Sequence, residues 1–314
     1  MKKKLVAGAV TLLSVVTLAA CANGTNKDVV TMKGDAISVS DFYDEIKTNQ
    51  GAQQVLFQMT INKVFEKEYG SKVSDKEVDK ELAKQKKQLG KQFDAYLAQQ
   101  GLTEETAKKQ IRSNMLLEYA VNQAAKKDIK ESDYKAAFES YTPEVTAQII
   151  KLNSEDKAKE VLEAAKAEGA DFAQIAKDNS TDTATKDKGG EVKFDSGTAG
   201  IPSQVKEAAF KLDENGISDV ITVSAGQNYS ASYYIVKLNK KTDKGSDWKK
   251  YEKRLKEIIV DGRKQDTNYI RSIIAKAMTN ANIKVKDDAF KSTFNQYLQN
   301  IGVETSNSNS SSKK

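Results

Sequence analysis

The 314-residue chain contains no histidine, one cysteine and two prolines. The absence of histidine removes the commonest general base and the commonest metal ligand of proteins. Because Cys21 is the only cysteine, the chain cannot form an internal disulfide, and a packed core must stabilise it. We therefore expect no metal site and no cofactor, and any catalysis must proceed without an imidazole.

Charged residues make up 30% of the chain, yet the two signs nearly balance. The formal net charge is +6, and it falls to +3 if the three lysines at positions 2–4 are removed. Nucleic-acid binding requires a stronger basic excess than this, so the composition does not indicate it.

The N-terminus places the three lysines before an apolar run at 5–20 that ends in small residues. This pattern is typical of a secretory signal, and the run is short for a membrane span. The tetrapeptide LAAC, which ends at Cys21, resembles the bacterial lipobox. The resemblance implies that residues 1–20 are a lipoprotein signal peptide and that Cys21 carries the lipid. The alternative is a plain secretory signal followed by an unmodified thiol.

The segment at 21–142 is predicted to be mainly helical. A short alternating stretch around Lys33-Gly34-Asp35 predicts a hairpin, after which the spacing of apolar residues becomes helical. Ser74 and Glu77 form a capping-box pattern at the start of one helix. Two apolar faces follow from the spacing: Val55, Leu56, Met59 and Val64, and then Ala107, Ile111, Met115 and Tyr119.

The segment at 241–304 is predicted to be helical as well, with an apolar stripe that begins at Trp248, Tyr251 and Leu255. Neither helical segment is long enough to bury its own stripe, so we expect the two to pack on each other. The polar tail at 305–314 is predicted to be disordered.

The region at 143–240 interleaves short strands with helices, which predicts one small α/β or α+β domain. Its first strand is predicted from VTAQIIKL at 145–152, a β-prone run bounded by Pro143 and by Asn153. Further on, Gly189-Gly190 precedes the predicted strand EVKF. We interpret the two glycines as a backbone requirement of a turn and not as a ligand-binding loop.

Residues 145–238 resemble the parvulin family of peptidyl-prolyl isomerases. The resemblance depends on five blocks in order: VTAQIIKL, EDKAKEVLEAAKAEGADFAQIAKDNSTD, GGEVKF, IPSQVKEAAFKLDENGISDVI and YYIVKL. With the lipobox-like start and the helical flanks, nearly the whole chain resembles the PrsA-type foldase lipoproteins of Gram-positive bacteria, and more loosely the chaperone SurA. This implies an α+β fold in which a parvulin-like domain, a small sheet with surrounding helices, is inserted between helical segments that pack into one chaperone lobe.

The resemblance also implies site residues. The two histidines of active parvulins fall on Gln148 and Tyr234, and the acidic or cysteine position in the loop falls near Asp182. The apolar prolyl pocket falls on Val192, Ile201 and Val205. Isomerisation must lower a barrier of about 18–20 kcal/mol, which requires a close apolar grip and a fixed polar network. We expect activity to be weak or lost, and the alternative for each residue is an ordinary structural role.

These features predict a lipid-anchored foldase at the outer face of the cell membrane that binds unfolded secreted polypeptides. Three alternatives stay open: a prolyl isomerase whose catalysis is the main output, a transporter-associated binding lipoprotein and a surface adhesin. The sequence also leaves open whether the chain forms a homodimer.

Overall fold

The structure, a computed structural model, describes residues 27–225 and 230–298. The predicted signal peptide, Cys21 and the predicted tail at 305–314 lie outside the described residues. The chain divides into two units: the first contains the residues up to Val64 and those from Ala275 onward, and the second contains Phe65–Ile274. The two units are described separately below.

The described residues form twelve α-helices and six β-strands. The helices are α1 (Val39–Ile46), α2 (Gln50–Tyr69), α3 (Asp75–Leu89), α4 (Phe93–Gln99), α5 (Glu104–Lys127), α6 (Glu131–Ser140), α7 (Glu155–Lys166), α8 (Phe172–Asn179), α9 (Ser203–Lys211), α10 (Glu252–Gln265), α11 (Thr267–Asn280) and α12 (Lys291–Leu298). The strands are β1 (Asp28–Met32), β2 (Asp35–Ser38), β3 (Val145–Leu152), β4 (Glu191–Phe194), β5 (Ile221–Ala225) and β6 (Ser230–Lys240).

In the first unit, β1 and β2 form an antiparallel hairpin that leads directly into α1. The turn contains Gly34, whose φ of 85° is a conformation that favours glycine. Ser38 caps α1: its hydroxyl accepts from the Asp41 amide, and the Asp41 carboxylate accepts from the Ser38 amide at 2.9 Å. The hairpin and helix predicted from the sequence are confirmed.

In the first unit, α2 packs against α12 and the residues just before it. The ring of Phe57 in α2 contacts the rings of Phe294 and Tyr297 in α12, at centroid distances of 5.3 and 4.4 Å. The Gln53 amide donates to the carbonyl oxygen of Ala289 at 2.9 Å. Helical residues before and after the parvulin-like region therefore share one core here, as the sequence predicts.

The predicted apolar face of α2 is wrong at two of its four positions. Val55 and Met59 are 60% and 52% exposed, whereas Leu56 is half-buried and Val64 is buried. Phe57 and Ile61, which lie outside the predicted face, are also buried. Apolar residues surround nearly the whole circumference of this helix, so helical spacing alone cannot identify the buried side. The aromatic contacts with α12 select the stripe that contains Phe57.

In the second unit, α5 packs against α3 and α10, and α10 also packs against α6. Arg112 of α5 fixes the turn between α2 and α3. Its guanidinium forms an ion pair with Glu66 at 2.8 Å and donates to the carbonyl oxygens of Gly70 and Val73 at 2.9 and 2.8 Å. The Ser74 capping box predicted at the start of α3 is confirmed.

Arg263 joins the end of α10 to the helices that precede the sheet. Its guanidinium donates to the carbonyl oxygen of Ala125 in α5 at 2.9 Å and to the carboxylate of Asp133 in α6 at 2.8 Å. On the same helix, Leu255 is fully buried. The second unit therefore also contains a helical core built from residues on both sides of the sheet region.

The sheet of the second unit has the strand order β4-β3-β6-β5, and every neighbouring pair is antiparallel. Helix α9 packs on one face, and α7 and α8 pack on the other. Ile149 of β3 belongs to the core on the α9 face, and its neighbour Ile150 belongs to the core on the α7–α8 face. No helix among residues 27–225 and 230–298 is long and apolar enough to cross a bilayer.

Candidate functional site

Gln148 lies on β3 between two residues, Ala147 and Ile149, whose side chains contribute to the core on the α9 face. Because side chains alternate along a strand, Gln148 faces α7 and α8. Its Nε2 donates to the carbonyl oxygen of Gly189 at 2.9 Å, and the side chain is half-buried. The amide therefore has a structural partner in the loop before β4.

The two glycines of this loop lie close to neighbouring elements, Gly189 to α8 and Gly190 to β3. Gly189 has a φ of 65°, and a Cβ there would lie 2.6 Å from the Cβ of Ala173 in α8. Gly190 has a φ of 77°, and a Cβ there would lie 2.5 Å from the carbonyl oxygen of Ile149. Both positions exclude larger residues on steric and conformational grounds, so the interpretation of Gly189-Gly190 as a backbone requirement is confirmed.

The structure brings the three predicted pocket residues and Tyr234 together. Val205 of α9 is fully buried in the core on the α9 face of the sheet. Val192, Ile201 and Tyr234 are half-buried and pack against that same core. The same core also contains Phe194 and Phe210, whose rings lie 5.7 Å apart, so aliphatic and aromatic side chains share it.

The structure does not bring Gln148 and Tyr234 together. In the register between β3 and β6, Gln148 pairs with Lys237, and Tyr234 pairs with Lys151. The two positions are offset by three residues along the strands, a distance of about 10 Å. Because the offset is an odd number of residues, the two side chains lie on opposite faces of the sheet. The pair of polar groups that the parvulin resemblance implies at these positions is absent from the pocket side.

Asp182 is occupied by its own loop. Its carboxylate accepts from the Thr185 hydroxyl at 2.7 Å and from the Ala184 amide at 3.1 Å. Its carbonyl oxygen accepts from the Lys186 amide at 2.9 Å. These bonds shape the turn that leads to Gly189. Among the described residues, no group of three acidic or cysteine side chains is arranged to hold a metal ion.

Comparison with known proteins places this architecture in a family. The model of the PPIC-type peptidyl-prolyl isomerase domain matches residues 142–240. The foldase protein PrsA of Streptococcus sanguinis is 60% identical over 302 residues, which cover 96% of this chain and 90% of the relative. PrsA of Streptococcus gordonii is 58% identical over the full length of both chains. The chain belongs to the PrsA foldase family.

Solved PrsA structures agree with this assignment. The crystal structure of PrsA from Streptococcus pneumoniae superposes with a TM-score of 0.79 at 54% identity, covering 86% of this chain and 99% of that one. PrsA from Lactococcus lactis superposes with a TM-score of 0.66 at 38% identity, covering 87% and 99%. The chain is thus a foldase with a parvulin-type domain, and the resemblance and fold class inferred from the sequence are confirmed.

A buried ion pair that the sequence did not reveal joins the parvulin-type sheet of this PrsA-family chain to α10. Asp195, just after β4, is 6% exposed, and its carboxylate accepts from Nε and Nη2 of Arg254 at 2.6 and 2.9 Å. It also accepts from the hydroxyls of Thr198 and Tyr141 at 2.8 and 3.1 Å. Burial acts against ionisation, but the bonds from Arg254 and Thr198 prevail and lower the pKa of Asp195 to about 2.

The turn after Asp195 packs directly on α10. A Cβ on Gly197 would lie 2.5 Å from Cγ1 of Ile258, so this turn requires glycine for its close approach to the helix. Burial together with the neighbouring Asp195 charge raises the pKa of Tyr141, which keeps its phenol protonated and able to donate. The only sequence signal for this junction is an acid directly after the predicted strand EVKF, which ends in a buried phenylalanine.

Proposed function

We propose that this foldase is anchored by a lipid on Cys21 at the outer face of the cell membrane and that its main output is to bind unfolded secreted polypeptides. In this proposal, prolyl isomerisation is a minor activity. The observation that carries it is an exposed apolar surface on the first unit. We call it the hairpin surface; it consists of Val29, Val30, Met32, Ile37, Val39 and Phe42.

The hairpin surface is unusual for a folded domain. Met32 and Phe42 are 52% and 51% exposed, and every residue of β1 is exposed. Exposed apolar groups concentrated in one hairpin and the helix that follows it are typical of interaction sites. Unfolded chains present apolar side chains at no fixed spacing, and a surface that combines Met, Phe and Val adapts to such partners. The family's foldase role supports an unfolded client as the occupant.

Weak catalysis follows from the chemistry of the pocket. Val192 and Ile201 are half-buried and offer aliphatic contact, Val205 is fully buried, and Tyr234 supplies one hydroxyl. Gln148 donates to Gly189 on the other face of the sheet. A pocket with this content binds the planar and the twisted amide almost equally, so it lowers the rotation barrier little.

We expect the wild-type protein to prevent aggregation of an unfolded client while accelerating a proline-limited refolding phase less than about tenfold. The double variant Gln148→Ala/Tyr234→Phe is expected to prevent aggregation as well as the wild type does. The variant Met32→Ser/Phe42→Ser is expected to lose most of this effect, because it removes apolar contact area. Light scattering of the client and the slow refolding rate are the two measurements.

The matched control is Tyr96→Ser, which removes an aromatic ring that is 45% exposed outside the hairpin surface. It is expected to behave as the wild type. Strong acceleration of refolding that the Gln148→Ala/Tyr234→Phe variant abolishes would make catalysis the main output. A change of molar mass from dimer to monomer in Met32→Ser/Phe42→Ser would assign the hairpin surface to a second copy of the chain.

Replacing Cys21 with serine is expected to release the protein from the membrane fraction into the medium. The predicted net charge of +3 without the first lysines is too small to hold a protein on a lipid surface, whereas acyl chains add about 0.8 kcal/mol per buried CH₂. Fractionation followed by immunoblotting measures the partition, with Ala22→Ser as the control that keeps the thiol. Retention of the serine variant at the wild-type level would refute lipid attachment at Cys21.

A further inference from the structure

A groove in the second unit runs between α5 and α10 and reaches α11. It consists of two adjoining depressions of about 400 and 360 Å³, which share Asp261 and Lys264 in their walls. The distance along α10 from Lys253 to Lys264 is about 16 Å at the usual helical rise, which accommodates about five residues of an extended chain. The groove is separate from the predicted prolyl-pocket residues Val192, Ile201 and Val205, which pack in the core on the α9 face of the sheet.

The two ends of the groove differ in chemistry. At the first end, Leu117 and Val121 of α5 and Ile270 of α11 form an apolar wall. Two carboxylates outweigh the charge of Lys264 there, because its Nζ lies 3.6 Å from the carboxylate of Glu118 and 3.8 Å from that of Asp261, so this end carries no excess of positive charge. This end therefore offers mainly aliphatic contact.

At the second end, Lys126, Lys253 and Lys256 surround the groove and are exposed. Within the described part of the chain, these three lysines form no ion pair. Glu257 lies beside them, but its carboxylate is bound to Arg254 at 3.0 Å. The second end thus carries a local excess of positive charge next to the aliphatic first end.

We propose that this groove binds an extended client segment in which aliphatic residues are followed by carboxylates. The inference rests on the proposed client-binding function and gives it a sequence preference. A purely anionic polymer has no group that packs against the aliphatic end, whereas a polypeptide supplies both the apolar and the acidic groups. Opposite charges in register across a surface contribute specificity and faster association.

The direct test measures binding of a fluorescent peptide, with two aliphatic residues, one serine and two acidic residues, to the full chain. Lys253→Glu/Lys256→Glu is expected to weaken binding at least tenfold, and wild-type binding is expected to weaken as salt is raised. Replacing the aliphatic residues of the peptide with serine, or its acidic residues with lysine, is expected to weaken binding to a similar extent. The control is Lys76→Glu/Lys80→Glu, which reverses two exposed lysines of α3 that also lie in the second unit.

Unchanged binding to Lys253→Glu/Lys256→Glu would overturn the proposal. Equal binding of the serine-substituted peptide, or full competition by inorganic polyphosphate at equal charge, would overturn it in favour of a general anion surface. An aggregation assay with an acid-poor client distinguishes a failure of the groove proposal from a failure of the proposed client-binding function. If the wild type protects that client while the peptide experiment fails, only the groove is misassigned; if it protects no client, the proposed function fails.

Discussion

Replacing Asp195 with alanine is expected to lower the free energy of unfolding of the second unit by about 3 kcal/mol, because breaking one side of a buried ion pair costs about 3–5 kcal/mol. The change leaves the Arg254 guanidinium without its bidentate partner and removes an acceptor from two hydroxyls, those of Tyr141 and Thr198. We place the expected loss at the lower end of that range because the Arg254 side chain is 33% exposed and regains some hydration.

Urea unfolding measures this loss through the fluorescence of Trp248, the only tryptophan, whose ring stacks on Tyr134 at 5.0 Å. The control is Glu257→Ala, because Glu257 pairs with the same Arg254 at 3.0 Å but is 48% exposed. An exposed ion pair contributes less than about 1 kcal/mol. Equal losses in the two variants would show that the buried position of Asp195 contributes nothing.

The pair of Asp195 and Arg254 predicts that stability depends on pH. The pKa of Asp195 falls from its ordinary value of 3.8 to about 2 in the folded state, so folding favours the ionised carboxylate. The stabilisation, about 2.5 kcal/mol, is complete above pH 3.8 and is lost as the pH falls through 2. We expect the difference in unfolding free energy between the wild type and Asp195→Asn to shrink between pH 4 and pH 2, and a constant difference would contradict this.

The elements that the sequence predicts well are those with a strong local signal. Strand β3 spans the eight residues of VTAQIIKL, because a β-branched apolar run bounded by Pro143 and Asn153 leaves little choice. The hairpin before α1 has a glycine turn and a capping residue, Ser38, that define it locally. Helix α2 lacks such a signal, since apolar residues occur on several sides, and only its contact with α12 determines that Phe57 is buried.

The site shows the same division between local and tertiary information. The resemblance identified Val192, Ile201 and Val205, which do share one core, because block order in the parvulin family fixes their elements. Gln148 and Tyr234 lie on opposite faces of the sheet because of the register in which β3 pairs with β6. That register cannot be read from the sequence of either strand alone. The partner of Asp195 is 59 residues away in sequence, on a helix outside the parvulin-like domain, so no local pattern announces it.

Ending the chain at Lys240 is expected to abolish stable folding of α5 and α6 in the second unit. The truncation removes Leu255 and Val260, whose burial contributes about 1.5–3 kcal/mol each. It also removes the bonds from Arg263 to α5 and α6, the stacking of Trp248, and the partner of the buried Asp195. Together these losses approach the whole stability of a small domain, which is about 5–15 kcal/mol.

Amide hydrogen exchange along α5 measures the effect of ending the chain at Lys240, because α10 contacts this helix. The method also needs no tryptophan, and the shortened chain lacks Trp248. We expect protection at Leu116 and Ala120 to fall to the level of an open helix. The full-length variant Lys253→Glu/Lys256→Glu keeps α10 in place and changes only exposed side chains, so its α5 protection is expected to match the wild type. If α5 keeps full protection in the shortened chain, the helices before the sheet fold without those after it, and the shared helical core is not needed for stability.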